Sequence, residues 1–198
     1  MRSFALSLIV AFVLSPAGAS AAGGKSGSTK PASDAASMDQ KLHHLEDNAH
    51  LTHPGQTPTT FTEPEANAYL ASEKVKLPAG VQSVKLEGEP GTITGDARVD
   101  FDRIREGSHS SNPLLSIFSG IHDVVVVAHA HGSGGQGYVE VDSVSLDGVE
   151  IPQFVLELFV ERFLHPKYPE VGLDSQFALP NRIDTAVVGL HKLTVTQK

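Results

Sequence analysis

The run TITGDARVDF, from Thr92 to Phe101, constrains the fold more than any other part of the chain. Apolar and polar side chains alternate along it, which is the pattern of a β-strand with one face against a core and the other in solvent. Val99 and Phe101 belong to the apolar face, whereas Asp96 and Arg98 belong to the polar one. The chain is therefore expected to build an antiparallel sheet that covers an apolar layer.

The N-terminal residues have the pattern of a secretory leader. Arg2 precedes an apolar run from Phe4 to Leu14, which is too short to span a bilayer as a helix. Ala19 and Ala21 then have the spacing of a signal-peptidase site. We expect residues 1–21 to be removed as a signal peptide, with an uncleaved anchor as the less favoured alternative. The mature protein would be exported, periplasmic or extracellular, and not integral to a membrane.

Composition narrows the classes of function. The chain has no cysteine, which rules out disulfides, thiol nucleophiles and cysteine-based zinc sites. Its formal net charge is −8, and such an acidic chain lacks the basic surface that binds nucleic acids or anionic membranes. The sequence contains no nucleophile elbow and no phosphate-binding glycine loop. We therefore expect a protein that is not an enzyme, has no cofactor and binds no nucleic acid.

The rest of the chain divides into a linker, a short helix and one domain. Residues 22–37 are rich in Gly, Ser, Ala, Lys and Pro, a composition typical of a disordered linker. Residues 38–60 are expected to hold a short amphipathic helix, only loosely docked, and a loop. A second helix is predicted after Thr62, because Thr62 and Glu65 have the spacing of a capping box. Residues 61–198 are expected to form a single domain.

Three pairs of strands and one strongly apolar helix are expected in that domain. A shift in alternation between Val141 and Val144 predicts a β-bulge. The segment from Pro152 to Leu164 is apolar nearly all round, as in a helix buried on several sides or lying against an apolar groove. The expected fold is α+β, a curved antiparallel sheet of about six strands with this long helix packed on its concave face. The predicted strands cover residues 81–86, 92–101, 121–131, 137–146, 183–188 and 193–197.

A candidate ligand site follows from that arrangement. A helix that is apolar on most sides, in a soluble acidic chain, can line a groove for a hydrophobic molecule. A core helix without a ligand is the more common role of such a segment, and both interpretations stay open. The residues expected to line the groove come from this helix, from the strand described first and from a short apolar patch: Phe154, Val155, Leu158, Phe159, Phe163, Val99, Phe101, Leu114 and Phe118.

Two groups of histidines are candidate metal ligands. His129 and His131 are two residues apart on a predicted strand, so their side chains share one face. A third ligand would come from His122 if the strand bends, or from Glu140 or Asp142 on a neighbouring strand. The histidine-rich residues 43–53 offer a second, helical arrangement. Exposed histidines without a metal are the preferred interpretation, since a catalytic site would also need a positioned base and a pocket.

Part of the sequence resembles a family of bacterial envelope domains. The run FTEPEANAYL, from Phe61 to Leu70, is similar to the helix that opens several of these domains, in which curved antiparallel strands follow. The segments LPAGVQSVKLEGEPGTITGDARVDFDRI and FALPNRIDTAVVGLHKLTVTQ fit the same pattern, as far as Gln197. Ala66 stands where a larger apolar or acidic residue is common. The family is distantly similar to tubular lipid-binding (TULIP-like) proteins, so the resemblance implies a lipid-binding fold without catalytic residues.

These observations lead to one expected function and two alternatives. We expect an exported, non-enzymatic domain that binds a lipid or another hydrophobic ligand in the cell envelope. The first alternative is a structural or protein-interaction module with a dry core and an envelope protein as partner. The second is a histidine-based metal binder. The sequence does not distinguish these three functions, because each requires only an exported α+β domain with a suitable surface.

Overall fold

The described part of the chain has a mixed α+β fold with nine strands in one antiparallel sheet. The computed structural model describes residues 30–106, 112–166, 168 and 172–198, and the predicted signal peptide lies outside them. The predicted α+β class and antiparallel sheet are confirmed. The expected number of strands was too low, because three strands of two to five residues are too short to show a clear alternation.

Nine strands and six helical segments follow one another along the described residues. All three predicted hairpins are present. The strands are β1 (Thr59–Thr62), β2 (Val81–Glu89), β3 (Thr92–Asp100), β4 (Ile121–Ser133), β5 (Gln136–Leu146), β6 (Val149–Glu150), β7 (Asp174–Ala178), β8 (Ile183–Gly189) and β9 (Lys192–Gln197). The helices are α1 (Lys30–Ala49), α2 (Glu63–Leu70), the single turn α3 (Phe101–Ile104), a 3-10 helix (Pro113–Ile117), α4 (Gln153–Phe159) and a π-helical segment (Val160–Leu164).

The sheet divides into two branches along one edge of β4, and we call this place the fork. β5 occupies the opposite edge of β4. On the fork edge, β3 pairs with β4 from Ile121 to His129, and β8 pairs with His131 and Gly132. β2 continues the first branch, whereas β9 and β1 continue the second. Two branches of the sheet therefore leave the same edge of one central strand.

Gly91 lies where the two branches divide. Its N–H donates to the carbonyl oxygen of Val188 in β8, and its own carbonyl oxygen accepts from the N–H of Ala130 in β4, both at 3.0 Å. The backbone φ of Gly91 is 78°, a left-handed value that glycine adopts without strain. The turn between β2 and β3 therefore ties both branches to the central strand.

The first helix corrects two expectations. α1 begins at Lys30, so residues 30–37 are helical and not a disordered linker, whereas residues 22–29 lie outside the described residues. The helix is also not loosely docked, because its apolar stripe packs into the core beside the second branch. Packing of such a stripe stabilises a helix beyond what composition predicts. The buried apolar side chains of α1 are Met38, Leu42 and Leu45.

An ion pair fastens α1 to the start of α2. The ammonium of Lys41 lies 2.7 Å from both carboxylate oxygens of Glu65 and donates to the carbonyl oxygen of Thr60 at 2.7 Å. Glu65 also completes the predicted capping box with Thr62. Burial alone would raise the pKa of Glu65, but hydrogen bonds from Lys41, Ser37 and Thr62 lower this pKa to about 2. Glu65 therefore remains a carboxylate that anchors both helices.

The predicted long apolar helix is shorter and less regular than expected. α4 has seven residues, and the chain continues along a π-helical path that ends at Leu164. There the N–H of His165 donates to the carbonyl oxygen of Val160 at 2.8 Å. The change to a wider hydrogen-bonded turn does not alter the run of apolar residues, so the sequence pattern could not reveal it. α4 nevertheless packs onto β3, β4 and β5 through a buried apolar cluster.

Candidate functional site

The nine residues of the predicted ligand site fall into three groups. Leu158 is half-buried. Leu114 and Phe154 lie at the surface, with 46% and 55% of their area exposed. The other six are buried in one cluster between α4 and the sheet: Val99, Phe101, Phe118, Val155, Phe159 and Phe163. The structure therefore brings most of the predicted site together and leaves two large apolar residues exposed.

Four phenylalanine rings occupy the centre of this aromatic cluster. The ring centroids of Phe118 and Phe159 are 4.3 Å apart, and Phe101 lies 5.4 Å from the first and 5.6 Å from the second. The ring of Phe163 is 5.3 Å from that of Phe159. Aromatic pairs at these separations stabilise one another beyond the burial of their area. A ligand here would have to displace part of this packing, and its binding remains a prediction.

A concave apolar site, which we call the notch, lies at the fork. Its volume is about 60 Å³, and it is open to solvent. One wall is formed by the end of β1 and the start of α2, another by β2 and β3, and the third by β8 and β9. Ligand sites are usually concave and lined by apolar side chains in this way, but they are larger, at about 300–1,000 Å³. The apolar side chains around the notch are Phe61, Ala66, Leu86, Ile93, Val188 and Leu193.

Asn67 holds α2 against the outer edge of β2. The side-chain amide nitrogen of Asn67 donates to the carbonyl oxygen of Leu86 at 2.8 Å. In return, the N–H of Leu86 donates to the side-chain oxygen of Asn67 at 2.7 Å. The amide thus takes the place of a neighbouring strand and covers backbone groups that an edge strand would otherwise present. This pair of bonds positions one wall of the notch.

Four hydrogen bonds connect Glu63, Gly88 and His191 beside the notch, and we call them the latch. Nδ1 of His191 lies 2.7 Å from Oε2 of Glu63, and the same oxygen accepts from the N–H of Gly88 at 3.3 Å. The N–H of Glu63 donates to the carbonyl oxygen of His191 at 2.9 Å. The N–H of His191 donates to the carbonyl oxygen of Gly88 at 2.7 Å. The latch therefore joins α2, β2 and the turn between β8 and β9.

The latch shifts the pKa values of both of its ionisable members. The hydrogen bond with Glu63 is the largest effect on His191 and, with the charges of Glu63, Glu87 and Glu89, raises the pKa of the imidazole against a smaller desolvation effect. Burial would raise the pKa of Glu63, but hydrogen bonds from His191 and Gly88, with the charge of His191, outweigh it and lower that pKa. Both shifts favour an imidazolium paired with a carboxylate.

Sequence reasoning did not find the notch or the latch. Their residues come from four separate segments, and none of these segments carries a recognised binding motif. The available signal was the apolar face of the β2–β3 hairpin, with Leu86 and Ile93. That signal predicts burial, but it does not say which distant segments supply the other walls.

His129 and His131 contact different partners. The predicted β-bulge is present, since Val127 pairs with Ser143 and Ala128 with Val141, and Asp142 is the extra residue. Nδ1 of His129 lies 2.9 Å from a carboxylate oxygen of Asp142, whereas the ring of His131 stacks on Tyr138 with centroids 4.9 Å apart. Within the described ranges, no group of three or more potential ligands could hold a metal ion. The metal hypothesis therefore has no third ligand from these residues.

Comparison with known proteins assigns neither a family nor a function to the chain. No protein-family model, curated protein or solved structure matches the chain. None of the helices that the structure describes is long and apolar enough to cross a membrane. The fold and the notch define an α+β domain with a small, open apolar site.

Proposed function

We propose that this chain is an exported, non-enzymatic domain that binds a lipid or another hydrophobic ligand in the cell envelope. The observation that carries the proposal is the notch, which is concave, apolar and open to solvent. The resemblance to envelope domains and, distantly, to tubular lipid-binding proteins favours the same class of ligand. The predicted groove between α4 and the concave face of a curved sheet is a second location for the ligand within this proposal.

The volume of the notch limits the part of a ligand that it holds. A cavity needs about 10–15 Å³ on this scale to hold one water molecule. The notch, at about 60 Å³, therefore admits about four to six non-hydrogen atoms. A branched alkyl group, a single ring or the end of an acyl chain has this size. The remainder of a longer ligand would lie outside the walls.

The mouth of the notch suits a ligand that also has a polar end. Glu63, Glu87 and Lys192 lie around the apolar walls. Burial of the apolar end would supply the main favourable free energy of binding. A polar head beside these charged side chains would stay hydrated and would avoid the free-energy cost of burying a polar group. An amphiphile therefore fits the notch better than a wholly apolar molecule.

Filling the notch tests the proposal. Ala66 lines the notch from α2, so Ala66→Phe places a ring in the space for the ligand. Ala71 is exposed at the C-terminal end of the same helix, so Ala71→Phe adds the same ring outside the notch. Binding would be measured as displacement of a neutral fluorescent hydrophobic dye by hexanol. We expect Ala66→Phe to weaken hexanol binding about tenfold or more, because the apolar contact area is lost, and Ala71→Phe to leave it unchanged.

Two results would change this conclusion. Equal binding by the wild type and Ala66→Phe would exclude the notch and direct attention to α4, where Phe159→Leu would be the next variant. Absence of binding by the wild type, together with no bound lipid in mass spectrometry of an organic extract of the exported protein, would overturn the proposal.

The exposed apolar surface near α4 favours a second candidate, a protein-interaction module of the envelope. Leu114 and Ile117, three residues apart on the 3-10 helix, and Phe154 on the neighbouring α4 are all more than 40% exposed. Large exposed apolar side chains on adjacent elements are common at protein interfaces. Cross-linking to envelope proteins that is lost in Phe154→Ser, with hexanol binding at the notch unchanged, would support this function beside the first.

A further inference from the structure

The latch constrains the width of the notch because its members belong to three different walls. Glu63 is on α2, Gly88 is on β2, and His191 is in the turn between β8 and β9. Moving any wall outward would break contacts that now measure 2.7 to 3.3 Å. Two of the four contacts use the carboxylate of Glu63, so charge on this group and on the imidazole strengthens the connection.

The backbone conformation of His191 favours movement at the latch. Its φ is 53°, in the left-handed region, which costs free energy for a residue other than glycine. Its backbone N–H and its carbonyl oxygen both take part in the latch. When those contacts weaken, the cost of the left-handed φ favours a change in the conformation of the turn between β8 and β9. Lys192 and Leu193, which line the notch, directly follow this turn.

We propose that the Glu63–His191 latch restricts the notch to short apolar groups while the imidazole is protonated, and that loss of this proton weakens the latch, so that separating the walls for longer groups costs less free energy. This inference rests on the proposed function, because it concerns the same notch and the same class of hydrophobic ligand. It adds the length of the apolar group that the notch prefers, and it makes that length depend on the protonation of His191.

The charges around the imidazole determine the direction of the pH effect. α2 contributes Glu63, β2 contributes Lys85, Glu87 and Glu89, and β9 contributes Lys192; the three glutamates favour the protonated imidazole. Because the pKa of His191 is raised above 6.5, its ion pair is complete below that pH and is lost as pH rises through the raised value. Because the pKa of Glu63 is lowered below 4.5, its contribution is present above that pH and is lost as pH falls through the lowered value. The latch is therefore strongest in mildly acidic solution.

The test uses uncharged probes, so that only the protein titrates. A series of straight-chain alcohols from butanol to decanol would be titrated against the full chain at about pH 5.5 and about pH 9, on either side of the ordinary imidazole pKa. We expect the shorter alcohols to bind equally at both pH values. The longer alcohols should bind about two- to fivefold more tightly at the higher pH, the range that a solvent-exposed ion pair allows.

Two variants connect the effect to the latch. His191→Asn removes the titrating ring but keeps a residue that tolerates a left-handed backbone, so the longer alcohols should bind equally at both pH values. His122→Gln is the matched control, since it removes another imidazole–carboxylate pair, His122 with Asp147 at 2.6 Å, at the far end of β4. It should preserve the wild-type difference between the two pH values.

The outcomes separate this inference from the proposed function. If no alcohol binds at either pH and mass spectrometry of an organic extract finds no bound lipid, the proposed function itself fails. If alcohols bind with the same chain-length limit at both pH values, or if His191→Asn retains the pH effect, the latch proposal is wrong while the notch remains a ligand site.

Discussion

The aromatic cluster beneath α4 and the notch at the fork are closed in different ways. The cluster is held by contacts among large apolar rings, such as the 4.3 Å approach of Phe118 and Phe159. The notch is bordered by polar contacts of fixed length, including Asn67 with Leu86 and Glu63 with His191. Rings pack until the space between elements is filled, whereas hydrogen bonds hold backbones at a set distance that side chains need not fill. The comparison explains why an open apolar site remains at the fork.

The largest expected change in the free energy of unfolding is in the aromatic cluster. Phe159→Ala removes a ring that contacts Phe101, Phe118 and Phe163, so it should reduce the free energy of unfolding by about 3–5 kcal/mol. Urea denaturation followed by circular dichroism measures this change. Phe154→Ala, on the exposed side of the same helix, should cost about 0.5 kcal/mol or less. Similar losses for both variants would show that the cluster is not the close-packed core described above.

A smaller effect is expected at the ion pair that fastens α1. Lys41→Met leaves the carboxylate of Glu65 without its cation and should reduce the free energy of unfolding by about 2–3 kcal/mol, less than for a fully buried pair because Lys41 is partly exposed. Lys74→Met is the matched control, since Lys74 pairs with Asp39 at 2.6 Å on the surface. That variant should cost less than about 1 kcal/mol.

The same ion pair gives a pH dependence with a defined direction. The pKa of Glu65 is lowered from 4.5 to about 2 in the folded chain. The stability from this carboxylate is therefore present above about pH 4.5 and is lost as pH falls towards about pH 2. Acid denaturation monitored by circular dichroism should show a smaller pH dependence in Lys41→Met. An unchanged profile in this variant would mean that the lowered pKa does not depend on Lys41.

The smallest of these changes in the free energy of unfolding is expected at the hydrogen bonds between Asn67 and Leu86 beside the notch. Asn67→Ala leaves the N–H and carbonyl of Leu86 without their partner and should cost about 1–2 kcal/mol. Hydrogen exchange at the amide of Leu86 should become faster, because its N–H loses the acceptor oxygen of Asn67. Gln82→Ala, at an exposed position of the same strand, should change neither measurement. Unchanged exchange at Leu86 would show that Asn67 does not hold this wall.

Local sequence patterns were sufficient for much of the fold. Alternation predicted the three hairpins, the spacing of Thr62 and Glu65 predicted the capping box, and the shift near Asp142 predicted the bulge. These features depend on interactions between residues near one another in the chain. The same reasoning grouped six of the nine proposed ligand-site residues, because residues on the apolar faces of neighbouring elements pack together.

The remaining features were decided by contacts between distant segments. The docking of α1, the short strands and the π-helical segment after α4 depend on tertiary packing or on hydrogen-bond register, which composition and periodicity do not encode. The notch is the clearest case, because it exists only where two branches leave one edge of β4. Thus the sequence by itself determined which faces are apolar. The tertiary structure decided where those faces close on one another and where backbone hydrogen bonds keep them apart.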